Sequence, residues 1–331
     1  MSVRALVAGA GGFIGSHMVR CLKGRGYWVR GADVKRPEFE ESLADEFDVC
    51  DLRDFNDCAR VTRDIDEVYQ LAADMGGIGY ISSYRAHVAR NNVLINAHML
   101  EAASRRNVGR YFYSSSACIY PMYRQRGVDV EPLREEDAYP AEPEEGYGWE
   151  KLFSEKMCQY YAQEGKLETR IARFHNVYGP VGTFEGGREK APAAICRKVA
   201  LAEDGDEIEI WGDGLQTRSF LYIDDCVDGI HRLTASRHRE PLNLGSDELI
   251  SVDGLVDLVS SIAGKLLTKR HDTTKPQGVR GRNSDNHRLA ATLGWEPPTP
   301  LKEGLEPTYR WIASVVGRGA DATLASTQRP S

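Results

Sequence analysis

Five side chains in this 331-residue chain carry the chemistry of proton transfer: Ser116, Cys118, Tyr147, Lys151 and Lys190. Tyr147 and Lys151 sit in Glu145-Gly146-Tyr147-Gly148-Trp149-Glu150-Lys151, which opens a helical pattern running through Phe153, Met157 and Tyr161. Four residues apart, their side chains share one helical face. A phenol with a pKa of about 10 is a poor base at neutral pH. An ammonium beside it favours the phenolate, which could then take the proton of an alcohol while hydride leaves the same carbon. Alone, the pair also fits an ordinary surface helix, so the elements around it decide.

Ser116 and Cys118 belong to Ser114-Ser115-Ser116-Ala117-Cys118-Ile119-Tyr120-Pro121, which follows the strand-like run Arg110-Tyr111-Phe112-Tyr113. Small hydroxyl residues at the carboxyl end of a parallel strand face the edge where ligands bind. Ser116 is placed to hydrogen-bond a reacting hydroxyl. Cys118, two residues on, is expected on the same side of the strand. A thiol with a pKa of about 8.5 moves towards thiolate beside a cation. Lys190, in Gly186-Gly187-Arg188-Glu189-Lys190-Ala191-Pro192, leads from a loop into a helix and offers an ammonium as proton donor. Each has a plain alternative: Cys118 as a small buried apolar residue, Lys190 as a solvated loop charge.

The elements that must position these groups begin at the N-terminus. A short strand, Val3 to Ala8, runs into Gly9-Ala10-Gly11-Gly12-Phe13-Ile14-Gly15 and then into a helix through Leu22. Strand, glycine turn and helix in that order make a dinucleotide cradle. Gly9 makes the tight turn, Gly12 admits a pyrophosphate, and Gly15 lets helix and strand pack closely, with the helix N-terminus facing the negative charge. The next strand, Trp28 to Ala32, ends at Asp33, about twenty residues on, where a carboxylate binds ribose hydroxyls and favours NAD over NADP. A third strand is expected over residues 47–52, with Asp51 near the adenine. A fourth is expected over residues 67–73, leading to a second glycine-rich loop at Gly76.

The totals agree with an enzyme of two lobes: 41% hydrophobic, 27% charged, net charge −7, and no long run of one sign. Neither a nucleic-acid surface nor a membrane-spanning segment is expected, and no charged leader precedes an apolar run. The seven cysteines have no disulfide or metal-ligand spacing, so no metal is expected, and reduced thiols point to the cytoplasm.

The glycine turn, Leu71-Ala72-Ala73, Ser114-Ser115-Ser116 and Tyr147-to-Lys151 together resemble the extended short-chain dehydrogenase/reductase family of nucleotide-sugar enzymes, over nearly the whole chain. That resemblance implies an α/β fold, a Rossmann-like doubly wound parallel sheet with a smaller C-terminal substrate-binding lobe. It assigns NAD to Gly9, Gly12, Phe13, Ile14, Gly15, Asp33, Asp51, Leu52, Leu71, Ala72, Ala73, Tyr147 and Lys151. It also implies a homodimer built from helices around 96–104 and 147–163. The expected division is 1–179 for the cofactor lobe (with a return over about 218–235), 180–315 for the substrate lobe, and an unstructured tail over 316–331.

Four strings resemble the branch of this family that epimerises a GDP-linked hexose at carbons 3 and 5. They are Ser115 to Pro121, Gly186 to Ala194, Trp211 to Phe220 and Gly278 to Asp285. Oxidation of a sugar at carbon 4 acidifies the hydrogens on carbons 3 and 5, and a base and an acid on opposite ring faces can then invert both. By this resemblance Cys118 is the base and Lys190 the acid, while Ser116, Tyr147 and Lys151 run the transient oxidation. GDP-mannose is the implied substrate, with GDP-L-galactose and GDP-L-gulose as products. Gly76, Ser116, Cys118, Asn176, Glu189, Lys190, Lys198, Gln216, Arg218 and Arg280 are the implied substrate contacts. Arg218 and Arg280 suit the diphosphate because a guanidinium binds it bidentately. His175 is expected to be packed. Tyr80 to Arg90 departs from the branch's usual string. A simple 4-epimerase and a non-catalytic NAD-binding sensor are the alternatives. A 4,6-dehydratase would carry Asp-Glu where this chain has Ala117-Cys118.

Overall fold

The structure is a computed structural model that describes residues 2–275 and 277–327. Its centre is a sheet of seven parallel strands. The first six are β1 (Arg4–Ala8), β2 (Trp28–Asp33), β3 (Glu46–Val49), β4 (Glu67–Gln70), β5 (Arg110–Ser116) and β6 (Thr169–Phe174). Leu242–Leu244 forms one edge, next to β6, and β3 the other; β4 and β2 flank β1. The strand order reverses at β1 and β4, which opens a crevice at the carboxyl ends of the strands.

The reason for burial on both faces is legible in β1. Ala5 and Val7 enter one apolar layer with Met18, Val19 and Leu22 of α1 (Phe13–Gly24) and with the helix Ile223–Ala235. Leu6 and Ala8 enter the opposite layer. There they meet α2 (Phe55–Val61), α4 (Arg85–Arg105) and α5 (Tyr147–Gln163) through Cys58, Val61, Met99, Leu100 and Cys158. Alternating side chains therefore serve two helical layers, as a parallel sheet requires.

Two strands are shorter than expected. The third ends at Val49 rather than residue 52, because Cys50 closes onto Asp33 O and Asp51 turns the chain towards Asp54. The fourth ends at Gln70, so Leu71, Ala72 and Ala73 form loop. After it the glycine-rich loop at Gly76 runs into α3 (Ile78–Ser83), a short helix.

A smaller core gathers Ile195, Val199, Ile208, Ile210, Leu255, Val259, Leu305 and Ile312. Around it lie α6 (Ala191–Leu201) and two small sheets. One sheet sets Thr217–Ser219 beside Gly281–Arg282, with Arg218 paired to Arg282 in register. The last helix, Leu301–Thr327, runs into the segment read as an unstructured tail, 316–331. Residues 328–331 lie outside the described residues. Among the described residues no helix is long and apolar enough to cross a membrane.

Candidate active site

The glycine turn has the shape of a cofactor cradle. Gly9 turns the chain with φ +86°, and a Cβ on Gly15 would lie 2.0 Å from Gly9 O. Helix α1 therefore starts against the strand, its first N–H groups directed at the crevice. Asp33 ends β2 with Oδ2 accepting from Gly11 N at 3.0 Å and Oδ1 from Lys35 N at 3.2 Å. Burial pushes its carboxyl up, while those backbone donors pull it back. Asp51 and Leu52 reach the same edge, but the Asp51 carboxylate is held by the Arg53 guanidinium, at 2.6 Å from Nη2. That contact keeps it below the usual carboxylate range. These residues fit an NAD molecule lying across the strand ends, with a carboxylate for the ribose and no cation in contact with Asp33.

Strand β5 ends at Ser116, and the chain then tightens into a 3-10 turn, Ala117–Ile119. Cys118 is thus not on the strand, and the expected two-residue alternation does not operate. The cause is local: Ser116 Oγ accepts from Cys118 N at 3.1 Å and caps the turn. Helix α5 seats directly on that turn. A Cβ on Gly148 would lie 2.3 Å from Cys118 O. Tyr147 and Cys118 consequently share one small buried cluster with Val88.

Lys151 is buried, with Nζ donating to Ser114 O at 2.8 Å and lying 5.5 Å from the centre of the Tyr147 ring. The expected lowering of the phenol by this ammonium is not seen. Burial, then Cys118 and Glu150, push the Tyr147 phenol well above its ordinary range, and burial lowers Lys151. Desolvation disfavours both charged forms here.

Cys118 has the cation that its chemistry calls for, but it is one that sequence reasoning missed. Arg282 Nη1 lies 3.5 Å from Sγ. The same guanidinium donates to Gln125 Oε1 at 2.6 Å and forms a buried ion pair with Glu144. Burial and then Glu144 raise the thiol; Arg282 and the Ser116 hydroxyl lower it. Arg282 lies within the string Gly278 to Asp285, but its carboxylate partner is 138 residues away, so no spacing could reveal the pair.

Lys190 is the N-cap residue of α6 and is half-buried. Burial lowers its ammonium, while the charge of Cys118 raises it. No hydrogen bond or ion pair holds this ammonium among the described residues. Glu189 beside it leaves Oε2 buried and unpartnered, as Gln216 does Oε1 and Ser219 does Oγ.

Arg218 is half-buried and donates to the carbonyls of Thr217 and Val279, at 2.7 and 2.6 Å. Burial and the neighbouring Arg282 push it down to about 10. Two guanidiniums with one carboxylate leave this wall net positive, as a diphosphate requires. Arg280, in contrast, is half-exposed and paired with Asp213 at 2.8 Å. Lys198 Nζ donates to Glu209 O at 2.6 Å, and Asn176 Nδ2 to Ser219 O at 3.0 Å. Gly76 packs under Tyr80. His175 is packed, bonded to Asn243 Oδ1 at 3.2 Å and pushed down to about 3 by burial.

Known proteins are similar to this chain in sequence and fold. The NAD dependent epimerase/dehydratase family matches residues 5–245. The GDP-mannose 3,5-epimerase of Arabidopsis thaliana is 47% identical, across 99% of this chain and 88% of its own length. GDP-mannose 3,5-epimerase 1 of Oryza sativa subsp. japonica is also 47% identical, across 99% and 89%. Among solved structures, the UDP-glucose 4-epimerase of Thermotoga maritima with UDP-glucose superposes with a TM-score of 0.84 at 26% identity, covering 95% of this chain and all of that one. The Bacillus cereus UDP-glucuronic acid 4-epimerase, solved with UDP-glucuronic acid and NAD, gives 0.81 at 26% over 95% and 100%. A crevice at the reversal of a parallel sheet, a glycine cradle and a buried Tyr–Lys pair are thus found in a chain that belongs to the NAD dependent epimerase/dehydratase family, and its cofactor is NAD.

Proposed function

We propose that the protein is a GDP-mannose 3,5-epimerase, converting GDP-D-mannose to GDP-L-galactose and, by the single inversion, to GDP-L-gulose. The observation that carries this reading is a buried thiol, Cys118, packed against Tyr147, together with Lys190, whose ammonium feels the Cys118 charge and has no partner among the described residues. A 4-epimerase has no work for either group. The 47% identity to the Arabidopsis and rice enzymes, over nearly the full chain, supports the choice of sugar nucleotide.

NAD, held by the glycine cradle and Asp33, would supply a hydride acceptor for carbon 4. Tyr147 takes the proton of the carbon 4 hydroxyl and Ser116 holds that oxygen. Lys151 keeps the phenol oriented from below. With carbon 4 a ketone, the thiolate of Cys118 removes a proton from carbon 5 or carbon 3. Lys190 delivers its proton to the opposite ring face, leaving a neutral amine and a neutral thiol that re-equilibrate with solvent. Once the hydride has gone back from the reduced cofactor to carbon 4, Tyr147 returns its proton to the carbon 4 oxygen. Arg218, Arg282 and Arg280 form the anion-binding wall, with Gly76, Asn176, Glu189, Gln216 and Lys198 around the sugar nucleotide.

The chain divides near residue 179, with a return over about 218–235; the edge strand Leu242–Leu244 belongs with the cofactor unit. The enzyme is a homodimer through α4 and α5. Trp149, Phe153 and Tyr160 line one face of α5 and are each more than half exposed, an apolar stripe that a second copy would cover. Seven free thiols suit a cytoplasmic location.

The test is incubation with GDP-mannose in heavy water, followed by NMR of the recovered sugars. Deuterium is expected at carbons 3 and 5. In Cys118→Ala it is expected to vanish while reduction of the cofactor by substrate persists. Absence of deuterium with the wild-type protein sinks the reading and leaves a 4-epimerase.

A further inference from the structure

Lys190 caps α6, but the segment that leads into it from Gly186 has little to hold it. Gly186 and Gly187 both have positive φ, +85° and +81°, and open space around them. An arm of this kind has many conformations, and a proton donor misplaced by about 1 Å can lose two orders of magnitude in rate. One side chain ties the arm to the cofactor unit. Arg188 Nη2 donates to Tyr80 Oη at 2.5 Å, its guanidinium lies 3.9 Å over the Tyr80 ring, and Nη1 reaches Met75 O at 3.4 Å. Tyr80 Oη in turn donates to Asp74 Oδ1 at 2.9 Å. Asp74 is anchored to α4, its Oδ2 accepting from Asn91 Nδ2 at 2.9 Å and its N donating to Asn92 Oδ1 at 2.6 Å. Gly77 N donates to Arg188 O at 3.1 Å, so both strands of the contact are used.

We propose that Arg188 is a positioning residue, and that its clamp on Tyr80 and Asp74 sets Lys190 on the ring face opposite Cys118. This rests on the reading of Lys190 as the acid. The clamp lies in the 74–84 stretch, and through Asn91 and Asn92 it reaches α4, the helix whose Val88 packs with Cys118 and Tyr147. The proton given by Lys190 forms the new C–H bond, and the one held by Cys118 leaves the old one. Hydride transfer at carbon 4 does not use the arm. Loss of the clamp therefore uncouples inversion from oxidation rather than weakening both.

Arg188 is half-exposed, so its replacement leaves the core intact. Arg188→Met, Arg188→Lys and Tyr80→Phe are compared with the wild type at early times in heavy water with GDP-mannose. Three quantities are followed: inversion at carbons 3 and 5, KM, and the reduced-cofactor absorbance formed on mixing. Arg188→Met is expected to slow inversion roughly 10- to 100-fold with KM and the reduced-cofactor signal kept. Tyr80→Phe keeps the ring but loses the hydroxyl and is expected to fall between, as is Arg188→Lys, which keeps charge without the fork. Equal slowing of inversion and cofactor reduction overturns the proposal, since it marks a general structural role. A raised KM with turnover kept also overturns it, making Arg188 a substrate contact. If the wild type itself takes up no deuterium at carbons 3 and 5, the epimerase reading has failed first, and the two failures are told apart.

Discussion

Arg282 Nη1 lies 3.5 Å from the sulfur of Cys118 while the same guanidinium is ion-paired with Glu144. The cation favours the thiolate and the carboxylate opposes it, so one buried pair sets the basicity of the thiol from both sides.

That relationship predicts changes of opposite sign. Arg282→Lys, which keeps a charge but loses the fork, raises the Cys118 pKa; Glu144→Gln lowers it. Moving the thiol's midpoint by about one pH unit changes the thiolate fraction at neutral pH about tenfold. The check is the pH dependence of iodoacetamide alkylation, read on the Cys118 peptide by mass spectrometry. Midpoints that stay together in all three proteins would remove Arg282 and Glu144 from the account. Arg282→Gln is a poorer probe, because a buried carboxylate left without its partner costs about 3–5 kcal/mol.

Gly148→Ala tests the seating of the helix on the turn. The added methyl would meet Cys118 O at 2.3 Å and Pro143 Cβ at 2.9 Å, and the first of these is backbone that cannot swing aside. A stability loss of about 1–3 kcal/mol is expected from the overpacking. Turnover is expected to drop by about tenfold or more, because Tyr147 and Cys118 are displaced together. Denaturant melts and steady-state kinetics measure the two.

Glu150 carries a pH signature. It is buried between α4 and α5, accepts from Asn92 Nδ2 at 2.9 Å, and is pushed up to about 7 by burial, against 4.5 for an ordinary glutamate. Between those values the folded protein holds a proton that the unfolded chain has released. Stability therefore falls as pH rises from about 4.5 to about 7 and is flat above. Glu150→Gln should flatten that slope in melting temperature measured from pH 5 to 8. An unchanged slope would assign the pH dependence elsewhere.

Phe39 ties the loop that follows Asp33 to the smaller core. It stacks on Phe184 at 5.7 Å and meets Trp311 edge-on at 5.0 Å. Phe39→Ala is expected to release NAD on gel filtration, with release at least about tenfold faster, equivalent to about 1.4 kcal/mol. Cofactor per chain by chromatography is the measure, and added NAD should restore turnover. Full retention of NAD would show that the aromatic contact does not gate it.

The helix-face pairing of Tyr147 with Lys151 and the glycine cradle ending at Asp33 were legible in the sequence because both are local. Spacing of four on a helix, or a strand–turn–helix within about thirty residues, leaves a pattern that short-range sterics enforce. Strand ends were less legible. Whether residues 50–52 and 71–73 continue a ladder depends on neighbours such as Asp33 O, not on their own propensity. Cys118 shows the limit most clearly. Its residue type and neighbourhood pointed to a base, yet the route was a 3-10 turn capped by Ser116, not a strand.

From the order of its residues alone, then, this chain determined a parallel nucleotide-binding sheet and brought forward five candidate groups. Tertiary structure alone decided which charges those groups meet. Arg282 reaches Cys118 across 164 positions, and Arg188 reaches Tyr80 across 108. The physical reason is that burial shifts every ionisable group towards its neutral form, and only a partner delivered by the fold can reverse that for a chosen one.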